Sequence, residues 1–577
     1  MDLWKTSEGY FHTWDETKLF YRTWEPQGDS KKAIIVLHRG HEHSGRLIEL
    51  VENIGLKDFW AFAWDSRGHG NSPGERGYAE SFNSLVRDLD SFVEYISQKH
   101  NIPIENIVIV ANSVAGVIAT TWVHDYAPKI RAMVLAAPAF RIKLYIPFAI
   151  PLLRILQIIK GRTFIKSYVK SKVLTHDVEQ VKQYDSDKLI TKNIALNILL
   201  GLHDTATRIV NDAGAIYIPV LILSAGSDWV VKNPIQQKFF KSLSSEKKEM
   251  HIYPDFYHGV FYEKDRHLAV EKARKFILES FDSQISTSFL IDSDKKGYTK
   301  REYERLKEKS SFPYCLLFFI EKMIMKTLGR LSNGVQLGLQ TGFDSGRTLD
   351  YVYENQPKGI TLIGKWIDRS YLNSIGWKGI RERKVNLESI LKDAINKVLN
   401  SGKTVKIMDI ASGPGRYILD VIKEIPDNNY EVLLRDYNEN NLKAGQKIAK
   451  EMGISNAKFS LGDAFNIESY SKSNFRPNIA VVSGLYELFP DNENILESLK
   501  GISSILEDGG FLIYTGQPWH PQIEMIARVL INREGKPWIM RRRTQAEMDA
   551  LVEKSGFKKV NMLIDNYGIF TVSLSQK

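Results

Sequence analysis

The sequence predicts an α/β chain made of two consecutive units, on three observations. Between Ala33 and about Asp282, β-branched apolar runs (AIIVLH, NIVIVA, AMVLAA, PVLILS) alternate with amphipathic stretches, the pattern of a mostly parallel sheet wrapped by helices. A second alternating series begins at Val405. The length, 577 residues, also exceeds what a single hydrophobic core organises.

Taken in order, residues 1–282 form the first α/β unit, interrupted at about 141–218 by a helix-rich insertion that reads as a cap. Residues 283–311 are polar and charged without a clear apolar face and read as a linker. Residues 312–404 carry helical apolar patterns, and 405–577 form the second α/β unit.

With 43% hydrophobic and 25% charged residues, the composition excludes a disordered or wholly membrane-embedded chain. A net charge of +10 leaves anionic lipid, acidic substrate and nucleic acid open as partners. The chain has no zinc-knuckle, RNP-like or basic-zipper pattern, which argues against nucleic acid. A single cysteine, Cys315, excludes an intrachain disulfide, and its apolar surroundings predict that it is buried. The N-terminal segment alternates like a pair of strands rather than resembling a signal peptide. No apolar run reaches the ~18 residues of a spanning helix. The expectation is a cytoplasmic protein whose membrane contact, where it occurs, is peripheral.

NIVIVANSVAGVIATTWV reads as buried strand, tight turn on Ser113, then helix, the context of a nucleophile elbow. Such a turn needs small residues two positions to either side, and Ala111 and Ala115 stand where glycine is usual. Asp228, just after the strand in PVLILSAGSD, and His258, in YPDFYHGVF, follow in the order Ser, Asp, His. Acids and histidines placed just beyond buried strands can converge on a nucleophile at the sheet's carboxyl edge.

HRGHEHSGR, AFAWDSRGHGNSPGERG, ANSVAG, SAGSDWVV and YHGVF resemble the monoacylglycerol lipase and lysophospholipase branch of the α/β-hydrolases. The resemblance implies an α/β-hydrolase fold with a helical cap. It also implies Ser113 as nucleophile, His258 as general base and then acid, Asp228 as its orienting carboxylate, and the Gly40 and Val114 amides as oxyanion hole. Two positions depart from the family: Arg39 stands where glycine is usual after His38, and Asn112 replaces the usual histidine. Arg39 either crowds the oxyanion site or offers its guanidinium to an anionic head group. His41, His43 and His69 belong to the family's loop text, so no metal is expected. From Arg141 to His176 there are eight Lys or Arg and no Asp or Glu, interleaved with LYIPFAIPLLRILQII. This suits a lid resting on an anionic lipid surface, and hence a lipid ester substrate. The alternative of a different class, prompted by the two alanines and Arg39, is a non-catalytic hydrolase fold serving as a lipid-binding or scaffolding module.

In the second unit a short strand ending at Asp409 feeds ASGPGRYILDVI, a strand, glycine loop and helix that allow close approach of a nucleoside cofactor. Asp436 ends the next strand about 20 residues on, where such folds place an acid for ribose hydroxyls. A dinucleotide is the rival ligand, but the third glycine of its fingerprint is absent. Asp409, Gly413, Gly415, Asp436 and the pair Asp463-Ala464 resemble a Rossmann-like class I S-adenosylmethionine-dependent methyltransferase. IAVVSGLYELF, ILEDGGFLIYTGQPW and FKKVNMLIDNYGIFTVSL continue that family's order. The resemblance implies S-adenosyl-L-methionine as cofactor. Asp409 would meet its amino group, Gly413 and Gly415 would approach it closely, Asp436 would hold its ribose, and Asp463 with Ala464 its adenine. SGLYELF, after Val482, would then face the methyl acceptor. GKWIDRSYLNSIGWKGIRERK resembles bacterial methyltransferases that are sometimes joined to a lipase-like hydrolase, and the helical region around it is expected to cover the acceptor side.

Overall fold

The computed structural model describes residues 4–282, 287–359, 361–425 and 429–577. It divides into two compact units, Met1–Ser286 and Thr287–Lys577.

The first unit is laid on an eight-stranded sheet. In chain order the strands are β1 (Thr6–His12), β2 (Lys18–Trp24), β3 (Ala33–Leu37), β4 (Trp60–Trp64), β5 (Ile107–Asn112) and β6 (Ala132–Ala136). An antiparallel pair in the cap follows, β7 (Phe164–Lys166) with β8 (Asn193–Ala195), and then β9 (Val220–Ala225) and β10 (Lys248–Tyr253). The sheet order is β1-β2-β4-β3-β5-β6-β9-β10. Only β2 runs against the others, pairing antiparallel with both β1 and β4, and β1 with β2 is the alternating pair expected at the N-terminus. The central strands are buried on both faces, which is why they read as unbroken apolar runs. On one face Val108, Val110 and Val134 pack against the helices Ile48–Ile54 and Arg266–Phe281. Between β6 and β9 the chain leaves the sheet to form helices Ala149–Lys160, Val178–Ser186 and Leu196–Asn211.

The second unit is a seven-stranded sheet with strands β11 (Val405–Ile410), β12 (Tyr430–Asp436), β13 (Ala457–Leu461), β14 (Ile479–Val482), β15 (Phe511–Gly516), β16 (Lys558–Ile564) and β17 (Thr571–Gln576). Their order is β13-β12-β11-β14-β15-β17-β16, parallel except for β17, which pairs antiparallel with both β15 and β16. Successive residues of β11 serve opposite faces: Ile407 joins the cluster beneath helix Ile375–Asn400, and Met408 joins the one beneath helix Asn492–Ile505. The strand order reverses between β11 and β14, which opens a crevice at their carboxyl ends.

Two expectations are corrected. The stretch taken as a linker at 283–311 is folded from Thr287 onward: residues 288–296 and Tyr298–Lys307 are helical, and Leu290, Thr299 and Leu306 are buried in the second unit. Residues 283–286 lie outside the described residues. The segment shows no clear apolar face in the sequence because much of its anchoring is polar. Asp294 accepts the Asn492 amide at 2.9 Å, and Arg541 donates to Thr299 Oγ1 at 3.0 Å. Cys315, expected to be buried, is exposed on helix Tyr314–Lys326, no residue of which is buried.

Candidate active sites

Ser113 caps the helix Val114–Tyr126 with φ 54° and ψ −112°, a strained conformation that lifts its hydroxyl above the sheet edge. The turn is held by the Ser113 amide donating to Ala136 O and by Ala139 N donating to Ser113 O, both at 2.9 Å. Ala111 and Ala115 are both buried, so a methyl group fits where glycine was expected. His258, on the loop after β10, lies with Nε2 2.8 Å from Ser113 Oγ. Its Nδ1 is 2.8 Å from Asp228 Oδ2. The other oxygen of Asp228 accepts the Val230 and Val231 amides at 2.7 and 2.9 Å. Burial pushes this carboxyl up, but His258 and the two amides outweigh it and hold the group below the usual carboxylate range. All three predicted residues therefore form one continuous hydrogen-bonded chain.

Gly40 sits against Val114: a Cβ on Gly40 would lie 2.9 Å from Val114 Cγ2, so only glycine brings the two segments this close. Val114, in the first turn of its helix, has an amide without an intrahelical acceptor. Asn112 donates to Leu37 O at 3.1 Å and so ties the elbow to the strand that leads into His38–Gly40. Arg39 is buried. Its Nε and Nη2 reach the two oxygens of Glu42 at 2.9 and 2.6 Å, its guanidinium stacks on Tyr262, and Nη1 has no partner. Glu42, which sequence reasoning missed, thus neutralises most of this cation. The loop histidines bond structurally: His43 Nε2 pairs with Asp187 at 2.9 Å and His69 Nδ1 with Arg67 O at 3.0 Å. Burial pushes His41 down to about 4 and His69 to about 3, so both are neutral at pH 7.

Ser113 and His258 open into a cavity of about 450 Å³ whose further walls are Leu144, Leu152, Leu199 and Leu202 of the cap. The cap helix Ala149–Lys160 buries none of its residues and exposes Ile158 and Ile159, and Phe148 just before it is exposed as well. Of the basic residues singled out there, Arg141, Lys143, Arg154 and Arg162 make internal contacts, Arg154 with Asp204 at 2.5 Å.

In the second unit, Gly413 (φ 56°) has nothing within 4 Å of where a Cβ would be, so its face toward the crevice is open. Its amide donates to Asp436 Oδ2 at 2.8 Å. Asp436 Oδ1 accepts the Asn438 amide and the Asn441 side chain at 2.8 and 3.1 Å, leaving a lone pair on Oδ2. Gly415 has φ 72° and lies under Leu434, 2.9 Å from a would-be Cβ. Gly415→Ala is expected to destabilise this unit by about 1–3 kcal/mol. The check is thermal unfolding of this unit.

Asp409 is fully buried, accepts the Tyr417 hydroxyl at 3.0 Å on Oδ1, and has no partner on Oδ2. Burial drives its carboxyl well above the usual range, Tyr417 opposes this, and neighbouring Asp436 adds to it. Asp463 stands exposed beyond β13 with Oδ1 accepting the Phe465 amide at 2.9 Å, and Ala464 O accepts the Tyr470 hydroxyl at 2.6 Å. An orphaned buried carboxylate oxygen, an open glycine and a free acceptor on Asp436 fit the amino, chain and ribose groups of S-adenosylmethionine.

Sequence reasoning did not single out Tyr417, Arg383 or Glu487. Arg383 Nη1 reaches Glu487 Oε1 at 3.2 Å, and both side chains are buried. A signal existed for Arg383: it falls on the apolar stripe between Ile380 and Leu387, where an unpaired charge is costly. Glu487 lies within the SGLYELF element, which was expected to face the acceptor.

The two sheets and their edge sites define a chain that joins an α/β-hydrolase to a methyltransferase domain. The chain belongs to the family whose model is described as "Putative methyltransferase", matched over residues 273–577, and residues 28–265 match the model described as "Serine aminopeptidase, S33". The helical region before β11 therefore belongs to the family's own domain. Along 98% of both chains it is 46% identical to "Uncharacterized protein YnbC" of Escherichia coli K12. The human "Monoglyceride lipase" is 27% identical over 42% of this chain and 80% of its own. A crystal structure titled as Paleococcus ferrophilus monoacylglycerol lipase aligns with a TM-score of 0.41 at 23% identity, over 48% of this chain and 99% of that one. Among the described residues, no helix is long and apolar enough to cross a membrane.

Proposed function

We propose that the first unit is a serine ester hydrolase acting on a lysophospholipid, a monoacylglycerol or a similar acyl ester, and that the second transfers methyl groups from S-adenosylmethionine. The observation that carries the first reading is the Ser113–His258–Asp228 chain opening into an apolar cavity. Ser113 Oγ attacks the ester carbonyl while His258 Nε2 takes its proton. His258 then returns that proton to the departing alkoxide, and in the second half-reaction it activates water against the acyl-enzyme. Asp228 keeps Nδ1 protonated and stabilises the imidazolium, and the Gly40 and Val114 amides bind the oxyanion. Leu152, Leu199 and their neighbours accommodate the acyl chain, and the exposed apolar cap helix meets the lipid surface that supplies it. The monoglyceride lipases among the relatives support this substrate class. The test is covalent labelling with a fluorophosphonate together with esterase turnover across acyl chain lengths. Labelling that persists in Ser113→Ala removes the assignment, and absence of turnover at every chain length favours the scaffolding module instead.

In the second unit the cofactor supplies an activated methyl group on its sulfonium. Asp409 Oδ2 takes the amino group, Gly413 and Gly415 let the backbone approach, Asp436 holds the ribose, and Asp463 with Ala464 borders the adenine. Calorimetry with S-adenosylmethionine against NAD decides the cofactor: tighter NAD binding overturns this reading.

One pH dependence follows. Because the Asp409 carboxyl sits above the usual range, it takes up a proton on acidification earlier than an exposed carboxylate does. Its attraction for an ammonium group is then lost. S-adenosylmethionine affinity is expected to fall on acidification at a higher pH than titration of an exposed carboxylate would give, and to lose this dependence in Asp409→Asn, read by calorimetry.

A further inference from the structure

The second unit contains a cavity of about 700 Å³, formed by the helical region 312–404 together with the loops after β14 and β15. Its walls are Val335, Trp366, Trp377, Ile526, Trp538 and Phe570. At one end Glu487 Oε2 and Gln517 Nε2 are both buried without hydrogen-bond partners, and elsewhere on the walls Glu321 Oε2, Tyr371 Oη and Trp538 Nε1 are unpartnered too. That end lies on the cofactor side, since Arg383 pairs with Glu487 and faces Tyr417, whose hydroxyl donates to Asp409. At the other end Ile324, Leu328, Ile363 and Trp366 line the cavity and are also 51%, 58%, 66% and 69% exposed, so they form its mouth.

Beyond the mouth the apolar surface continues over Phe312, Phe319 and Leu362, the last two 62% and 86% exposed. Lys326, Arg330, Lys365 and Arg369 are exposed around it. Monomeric proteins rarely leave so continuous an apolar face to water. Cations framing inserted aliphatic and aromatic side chains match the chemistry of an anionic lipid surface. A protein partner seated there would close the mouth that an acceptor must use.

We propose that this cavity takes the methyl acceptor, and that the acceptor is a long-chain amphiphile withdrawn from an anionic lipid surface on which helix Tyr314–Lys326 and the turn at Leu362 rest. The chain occupies the aromatic and aliphatic part of the cavity, and a head group with both a hydrogen-bond donor and an acceptor, such as a hydroxyl, lies between Glu487 and Gln517. The identification of the ligand as an acceptor rests on the methyltransferase reading above.

The experiment uses the full chain and the fluorescent fatty acid 12-(9-anthroyloxy)stearate. Ile526→Trp and, independently, Val335→Phe are expected to abolish one equivalent of bound probe that Leu199→Trp, which fills the other unit's cavity, leaves in place. Phe319→Glu with Leu362→Glu is expected to slow uptake of the probe from phosphatidylglycerol vesicles at least tenfold while leaving affinity for free probe unchanged. Calorimetry with S-adenosylmethionine is run on every variant: retained heat shows that the unit is folded, and loss of binding in the wild type defeats the methyltransferase reading without touching probe uptake. Probe binding unchanged in both cavity-filling variants overturns the proposal, and so does vesicle uptake at the wild-type rate in the surface variant.

Discussion

Ser113→Ala is expected to lower kcat for ester hydrolysis by about five orders of magnitude, with KM little changed, because the covalent route is lost while the acyl cavity stays intact. The residual rate comes from the Gly40 and Val114 amides and from substrate positioning. Asp228→Asn is expected to cost about 10⁴-fold, since an amide facing His258 Nδ1 stabilises the wrong tautomer. A double variant should fall no further than Ser113→Ala alone, because the chain acts as one unit. Steady-state hydrolysis of a medium-chain monoacylglycerol measures all three. A Ser113→Ala loss below tenfold would place the chemistry elsewhere.

The substitution at the elbow explains why such an effect is expected despite the departures from the family pattern. The turn at Ser113 needs small residues two positions to either side, and Ala111 and Ala115 are both small and buried. Asn112 replaces a histidine but binds the backbone of β3, a positional task that does not need an imidazole. Arg39 is drawn away into a salt bridge with Glu42 that its own segment supplies three residues later. Of the two fates considered for Arg39, full crowding is relieved by that pairing, and only Nη1 is left to meet an anionic group.

What was legible and what was not divides along physical lines. Parallel strands buried on both faces announce themselves as β-branched runs, so β3, β5, β6, β9, β11 and β12 could be read directly. The triad was legible from order and strand ends, because topology brings those ends to one edge. Segment 287–307 was not, because its burial depends on partners about 200 residues away, Asn492 and Arg541, that no local window contains. Helix Tyr314–Lys326 failed in the opposite sense: hydropathy reports that a face prefers not to meet water, but not whether the same chain covers it. The ion pair Arg383–Glu487 joins residues about a hundred positions apart, so the place of Arg383 on an apolar stripe called for a buried partner without saying which residue supplies it.

Asp436→Ala is expected to weaken S-adenosylmethionine binding at least a hundredfold, more than removal of one ribose contact alone would explain. Hydrogen bonds to a charged group are worth about 1.5–3 kcal/mol each, and this carboxylate makes three before a cofactor arrives. It fixes the Gly413 amide and, through Asn438, the start of helix Glu439–Glu451, so its loss frees the loop that must lie against the cofactor. Asp436→Asn separates the two contributions. One carbonyl oxygen can still accept a backbone amide, but the amide nitrogen cannot, so affinity should fall by an intermediate amount. Calorimetry at constant pH gives the three values, with thermal unfolding as a check that the sheet survives. Equal binding by the wild type and Asp436→Ala would mean that the nucleoside does not lie in the crevice that opens beside Gly413 at the carboxyl end of β11.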